Sequence, residues 1–420
     1  MPSAYSILQG MVDFSRLCSG RCPGQLVIQF TDYCNGACPQ CAMNVNHTYP
    51  RRRLSREETE KIISWAASRG FRALSFTGGE PFLHYKDLRH LINYACRRHI
   101  PYIRTGTNGF FLCQGWDKAG FNSKLETMAR ELAASGLRNL WISVDSADAT
   151  VHEQIRGLPE VINAIQRSLP IFHAGGIYPA ANLGINRLLG GPMKKPLHLT
   201  TPEVFYGRMT AALERFFESV IKLGFTMSNL CYPMGADVDQ GDLLKPIYGA
   251  HSPHSMVQFS REEKILIFRV LQAVIPRYRS RIRIFTPLSS LYALEKQLEQ
   301  EEDFSFPCRG GIDYFFVSAR DAMLYPCGYR GEENMGCCPE LPNTARSSPC
   351  RLCEWECFRD PSELTGPLMM AWHQPGKLWD RFRQDKTYAR LWWSDLKYYR
   401  ACRFFDGRVA PELTGMTNFV

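Results

Sequence analysis

The sequence predicts an α/β protein: a partial (β/α)6 TIM-like barrel, then a small cysteine-rich α+β domain, then a helical tail. Three observations carry this. β-type and helical runs alternate six times between about residues 25 and 235, and such alternation implies a parallel sheet with right-handed crossovers. Seven of the 16 cysteines crowd into residues 308–357. From residue 366 onward the chain is dense in Trp, Tyr and Arg. Six repeats fall short of the eight that close a full barrel, so the barrel is expected to be partial.

The strand candidates are 26–31, 73–77, 102–107, 140–145, 179–186 and 225–233. Helices are expected between them. Ser55 with Glu58 forms a capping box that opens a helix to about Ser68. Further helices are expected near 85–99, 124–135 and 159–172. Thr201 and Pro202 supply an N-cap and a first helical position for a long helix to about Lys222. Ser260 with Glu263 is a second capping box, and 287–300 is another helix candidate. The expected divisions are an N-terminal extension (1–24), the barrel (25–240), a helical bridge (241–305), the cysteine-rich domain (306–362) and the tail (363–420).

Composition excludes several classes. The chain is 45% apolar and 22% charged, which is globular rather than disordered. No apolar run approaches the roughly 18 residues of a membrane span, so no membrane role is expected. The N-terminus lacks a basic region followed by an apolar one, which argues against secretion. The chain is expected in the cytoplasm, where 16 cysteines point to metal or cluster binding rather than disulfides. A net charge of +9 suits an anionic ligand.

The cysteines form two centres. Cys34, Cys38 and Cys41 occupy the loop after the first strand candidate. Three thiolates in eight residues can wrap an iron–sulfur cube and leave one iron open to an exogenous chelator. A Cys₃His zinc site with neighbouring His47 is the alternative. The second strand candidate ends in Thr77-Gly78-Gly79-Glu80-Pro81. Ligand chemistry in parallel sheets belongs at the carboxyl ends of strands, and both motifs fall there.

CxxxCxxC after strand one, with GGEP ending strand two, resembles the radical S-adenosylmethionine enzymes. The resemblance covers about residues 25–235. It implies a 4Fe–4S cluster on Cys34, Cys38 and Cys41, with S-adenosylmethionine chelating the open iron. It implies that Gly78, Gly79, Glu80 and Pro81 lie against the methionyl group. Thr107 and Asn108, Ser143 and Asp145, and Asn186 end strands three to five, where the family places polar side chains near this cofactor. Turn chemistry is the rival explanation for each. One departure stands out: the residue before the third cysteine, usually aromatic, is Gln40, so the adenine contact is unassigned.

In the second centre, Cys308 and Cys327 flank a predicted hairpin, and Cys350-Arg-Leu-Cys353 is a CxxC with Cys357 beyond it. The arrangement is similar to the twitch and SPASM auxiliary-cluster extensions of the same family. It lies closer to the single-cluster twitch, because the run after the CxxC is short and Ala322 stands where glycine usually begins the second strand. One auxiliary 4Fe–4S cluster on Cys308, Cys327, Cys350 and Cys353 is expected, with Cys357 as substitute ligand. Cys337 and Cys338 are candidates for a second cluster, and a zinc ribbon is the alternative for the whole segment.

Cys231, near the end of the sixth strand candidate, is a candidate hydrogen donor to a substrate radical. The Arg51-Arg52-Arg53 run is expected to be a solvated loop, and the tail's aromatics are expected to pack back onto the domain. The functional expectation is an enzyme that cleaves S-adenosylmethionine reductively and abstracts hydrogen from a C–H bond. Its expected substrate is a small, anionic biosynthetic intermediate such as a sugar or nucleotide. Its electron donor is expected to be a flavodoxin or ferredoxin. Two alternatives are a ribosomal-peptide maturase guided by a separate partner, and a non-catalytic iron–sulfur or zinc protein that binds nucleic acid through the tail. GGEP argues against the last, so no nucleic-acid role is expected.

Overall fold

A computed structural model describes residues 14–41, 43, 50–113, 115, 118–192, 196–233, 252, 254–299, 304–341 and 346–411. The β/α alternation is present throughout. The barrel half runs β1 (Gly24–Thr31), α1 (Arg56–Ser68), β2 (Phe71–Gly78), α2 (Tyr85–Arg97), β3 (Tyr102–Thr107), α3 (Phe121–Ala134) and β4 (Leu137–Ser143). It continues with α4 (Ala149–Arg156), α5 (Val161–Ala174), β5 (Ala180–Gly184), α6 (Pro202–Leu223) and β6 (Met227–Cys231). Strands β1 to β6 pair in sequence order, all parallel.

The helices start where capping chemistry allows. Ser55 Oγ accepts the Glu58 N–H at 3.1 Å while Glu58 Oε2 accepts the Ser55 N–H at 2.7 Å. Thr201 Oγ1 accepts from Val204 N, ahead of Pro202. Each bond satisfies a donor that the first helical turn leaves free. Alternate strand residues face the helices. Leu26, Ile28 and Phe30 of β1, with Leu74 and Phe76 of β2, lie in one apolar layer with Ile62, Ile63, Leu91 and Ile92 of α1 and α2. These side chains are buried almost completely, each contributing about 1.5–3 kcal/mol.

The bridge is not wholly helical. Between α7 (Arg261–Tyr278) and α8 (Leu288–Leu298), Arg283 and Ile284 form β7, parallel to β6. A two-residue strand is too short to show a period, so the sequence disguised it. The expected boundary near 240 and His47 lie outside the described residues.

The cysteine-rich segment is joined to the same sheet. β8 (Tyr314–Val317) pairs parallel with the free edge of β1, Gln25 opposite Tyr314 and Ile28 opposite Val317. β9 (Met323–Tyr325) and β10 (Gly336–Cys337) then extend the edge antiparallel. The sheet order is β10-β9-β8-β1-β2-β3-β4-β5-β6-β7. Eight adjacent strands, β8 and β1 to β7, are therefore parallel, and β7 and β10 are its two ends.

Helix α9 (Glu356–His373) begins just after the CxxC and runs across the expected boundary at 362/363. Its first turns press onto the sheet face opposite the barrel helices. Gln25 Nε2 donates to the Cys357 carbonyl, and the Tyr232 hydroxyl donates to Asp360. The tail continues as α10 (Pro375–Gln384) and α11 (Lys386–Ala401). Tyr388, Trp392, Tyr398 and Tyr399 do pack back. Trp372, Trp379 and Trp393 do not: they are 57%, 72% and 54% exposed. The expectation that the tail aromatics are core thus holds for the inward stripe of α11 and for Phe405 beyond it, not for these three. Among the described residues, no helix is long and apolar enough to cross a membrane.

Candidate active site and cysteine centres

The loop carrying Cys34, Cys38 and Cys41 rests on the carboxyl ends of the strands. The Gly79 N–H donates to Thr31 O at 2.7 Å and the Glu80 N–H to Tyr33 O at 2.8 Å. This approach is why GGEP needs its glycines. A Cβ on Gly78 would sit 1.9 Å from Thr31 O, and one on Gly79 would sit 2.1 Å from Tyr33 O. Gly78 also has φ +129°, which side chains resist. Glu80 is buried and ties β2 to β3: its carboxylate accepts the Asn108 N–H at 2.6 Å and the Phe82 N–H at 3.0 Å. Burial pushes its carboxyl up to about 7, against those bonds.

Asn108 bridges onward. Its Nδ2 donates to Asn35 Oδ1 at 3.1 Å and lies 3.9 Å from Cys34 Sγ. Thr107 accepts the Gly109 N–H. Cys34 Sγ also accepts the Gly36 N–H at 3.3 Å. The three thiols sense one another, and burial raises Cys34 and Cys38, the latter to about 11. N–H donors aimed at sulfur are the second shell that an iron–sulfur cluster uses. The donor set therefore fits a cube with one open iron.

On the far side stands a residue the sequence reading missed. Arg156, at the end of α4, donates to both oxygens of Asp145, and its carbonyl accepts the Ala37 N–H at 3.0 Å. Burial would raise Asp145, but the guanidinium outweighs it and holds the carboxyl below its usual range. Arg156 also faces Cys38 and Cys41. The signal was available: Asp148 caps α4 by accepting from Val151 N, and Gly157 closes it at φ +65°.

Gln40 reaches Asp145 at 3.5 Å. Asn186 spends its Nδ2 on the Asp145 and Gly184 carbonyls and its Oδ1 on the Leu188 N–H. Ser143 lies half-buried at the end of β4. Pro81 opens the short 3-10 turn after β2. Arg51 donates to the Cys34 carbonyl, Arg52 pairs with Glu58, and Arg53 pairs with Asp87 at 2.7 Å. The arginine run is thus bonded to the cysteine loop and its neighbours rather than merely solvated.

In the second centre, Cys308 and Cys350 face each other across a bridge, with Cys308 N 2.7 Å from Cys350 O. The interaction between their thiols, with burial, raises Cys308, while it lowers Cys350 to about 6. Cys353 senses both Cys327 and Cys350. Every one of the four sulfurs faces a backbone N–H: Gly310 for Cys308, Tyr329 for Cys327, Leu352 for Cys350 and Trp355 for Cys353. Arg330 and Arg359 add positive charge. Among the described residues, no three His, Cys, Asp or Glu side chains converge tightly enough to hold a single metal ion. The donor chemistry suits a cluster ligated at its corners.

Cys357 does not join them. Its sulfur points to the barrel interior, accepting from Gln25 Nε2 at 3.3 Å with Arg104 Nη2 at 3.6 Å, so its role as substitute ligand is set aside. Cys337 and Cys338 lie elsewhere, beside Lys61 and Arg69, and sense only each other among thiols. Two thiols are too few for the second auxiliary cluster.

A parallel barrel sheet with three thiols on its first loop and a GGEP strand end beneath them defines a radical S-adenosylmethionine enzyme. Residues 28–185 match the family described as the Radical SAM superfamily, and the chain carries that family's domain. It uses S-adenosylmethionine and a 4Fe–4S cluster. The AdoMet-dependent heme synthase of Methanosarcina barkeri is 25% identical over 78% of this chain and 84% of its own. The probable GTP 3',8-cyclase of Pyrococcus abyssi is 30% identical over 32% of this chain and 40% of its own. Two solved structures align with this chain at a TM-score of 0.47. Streptococcus suis SuiB bound to S-adenosylmethionine is 16% identical, over 73% of this chain and 60% of its own. anSMEcpe with bound AdoMet and a peptide is 14% identical, over 86% and 100%.

Proposed function

We propose that this enzyme abstracts a hydrogen atom from a C–H bond of a small anionic biosynthetic intermediate. The likeness along most of the chain to an enzyme named a heme synthase carries the reading. A shorter likeness to GTP cyclases supports it. Both names point to biosynthetic small molecules rather than polymers.

Cys34, Cys38 and Cys41 would hold the radical cluster, and Cys308, Cys327, Cys350 and Cys353 an auxiliary one. When bound, the reduced radical cluster and S-adenosylmethionine supply a 5′-deoxyadenosyl radical. The protein's part is placement. Gly78 and Gly79 keep the strand end low enough for the cysteine loop to close over it. Arg156, held by Asp145, would add positive charge beside the cysteine loop where the anionic cofactor would bind. Thr107, Asn108 and Asn186 brace the strand ends, and Ser143 at the end of β4 would lie near the cofactor with them. The test is anaerobic reconstitution, dithionite and S-adenosylmethionine, with chromatography for 5′-deoxyadenosine. Its formation is expected, and faster turnover with the right intermediate identifies the substrate. Clusters that load fully yet give no 5′-deoxyadenosine with any candidate would overturn the reading.

A further inference from the structure

The outer face of the sheet is apolar and sealed, while its inner face is polar and partly open. On β3, Ile103 and Thr105 face the helices and are fully buried, whereas Arg104 between them is half-buried. Trp141 of β4, Asn182 of β5 and Asn229 of β6 share that half-buried inner face, beside the closed outward positions Leu140, Leu183 and Leu230. The tail shuts this interior from below. The Tyr102 hydroxyl and Asn139 Nδ2 both donate to the Phe405 carbonyl, at 3.4 and 3.3 Å, and Phe405 is itself buried. The open surface of Arg104 therefore faces the carboxyl ends of the strands, where the cysteine loop sits. Arg104 lies three residues below Thr107, about 10 Å along the strand.

One edge of this guanidinium is fixed and the other is unspent. Nε donates to Ser75 Oγ at 2.5 Å, and Nη2 approaches Cys357 Sγ at 3.6 Å. Gln25 Nε2 holds that sulfur in turn, at 3.3 Å. Among the described residues Nη1 has no partner, and no carboxylate forms an ion pair with Arg104. Glu356 of α9 feels its charge, yet Glu356 Oε2 is buried without a hydrogen-bond partner among the described residues. A guanidinium offers its donors as a planar fork that matches carboxylate and phosphate oxygens. Here the outer edge, Nη1 with the second hydrogen of Nη2, is left to present.

Two further donors look into the same interior. A Cβ on Gly106 would sit 1.7 Å from Trp141 Nε1, so glycine lets the indole lie across β3, one inward position above Arg104. The indole N–H has no partner among the described residues. Asn182 spends its Oδ1 on Asn229 Nδ2 at 2.5 Å and on the Cys231 thiol at 3.6 Å, which leaves its Nδ2 unspent.

We propose that Arg104 anchors the substrate by binding an oxyanion group of it, carboxylate or phosphate, deep in the barrel, with Trp141 and Asn182 as neighbouring donors. This rests on the radical-enzyme reading above and narrows its substrate to molecules whose anionic group and reacting carbon lie several bonds apart. The anchor sets which carbon comes up to the strand ends. Ser75 fixes the guanidinium before the substrate arrives, so little ordering remains to be done on binding.

The test reads binding rather than turnover. The reconstituted enzyme, with S-adenosylmethionine bound, is treated with phenylglyoxal, and modification of Arg104 is followed by peptide mass spectrometry. Inorganic phosphate and glutarate are the probes, and sodium chloride of equal ionic strength is the control. Arg281, exposed and paired with Glu218, is the internal reference. Arg104 is expected to react, and to be protected several-fold by a probe but not by chloride, with Arg281 unchanged. Protection by phosphate alone assigns a phosphate-bearing substrate, and protection by glutarate alone a carboxylate-bearing one. Protection by both supports the shared oxyanion site. An Arg104 that does not react, or that chloride protects equally, overturns the proposal. Calorimetry with the protecting probe then compares variants of wild-type iron content. Arg104→Met is expected to weaken binding about tenfold or more, and Arg104→Lys to keep part of it because the charge stays and the fork is lost. Unchanged affinity in either variant also overturns it. Failure of the radical reading shows separately, as clusters that load and give no 5′-deoxyadenosine.

Discussion

Arg156 grips Asp145 through two parallel hydrogen bonds, Nε to Oδ2 at 2.6 Å and Nη2 to Oδ1 at 2.9 Å. The pair joins the end of β4 to the end of α4, and through Ala37 to the cysteine loop. Removing one partner strands the other charge in a buried place, which costs about 3–5 kcal/mol. Arg156→Ala is therefore expected to lower the melting temperature and to weaken S-adenosylmethionine binding, measured by calorimetry. Arg156→Lys keeps the charge but loses the fork, so it should recover part of the stability and less of the affinity.

Gly79 has no room for a methyl group, because the Tyr33 carbonyl occupies that place. Gly79→Ala must push the cysteine loop off β2 or break the Glu80–Tyr33 bond. Overpacking of this kind costs about 1–3 kcal/mol. The loss should show first as poor iron retention at Cys34, Cys38 and Cys41. Iron analysis after desalting measures it, and full retention would refute the role given to the glycine.

The four thiols of the second centre should behave as a set and Cys357 should stand apart. With a cube at each centre, the reconstituted chain binds about eight irons. Alanine at Cys308, Cys327, Cys350 or Cys353 is expected to bring this to about four. Cys357→Ala should keep about eight. Mössbauer spectra or iron and sulfide assays separate these outcomes.

His152 predicts how stability depends on pH. It is fully buried, its Nδ1 accepts the Asp145 N–H at 3.0 Å, and burial pulls its pKa from 6.5 down to about 4. Between those values the unfolded chain binds a proton that the folded chain refuses. Stability is then complete above pH 6.5 and falls as the pH drops toward 4. The shift corresponds to about 3 kcal/mol. Urea denaturation of the cluster-free protein across this range should show the decline, and His152→Gln should flatten it.

The sequence announced what repeats or clusters. Six strands, their helices and both capping boxes were legible because the spacing of apolar residues and the Ser-x-x-Glu pattern are local. Cys34, Cys38, Cys41 and GGEP were legible because they are contiguous. Cys308, Cys327 and Cys353 share one buried cluster with Cys350 packed against it, a neighbourhood that the hairpin and the CxxC made legible. What stayed hidden depends on distant contacts. Arg104 reads as one polar residue in a strand until α9 brings Glu356 and Cys357 beside it. Cys357 reads as a ligand until its sulfur is seen to face Gln25. Of the four tail tryptophans only Trp392 is buried, and its chain neighbour Trp393 is exposed, so composition alone did not sort them.

The pairing of β1 with β8 joins segments roughly 290 residues apart in the chain. At about 5–20 residues per second, synthesis leaves the edge of β1 bare for about 15–60 s before β8 emerges. An unpaired edge strand is a template for aggregation, and contacts this distant close slowly. A nascent chain of this protein is thus expected to need a holding chaperone, and truncations ahead of Tyr314 to be insoluble.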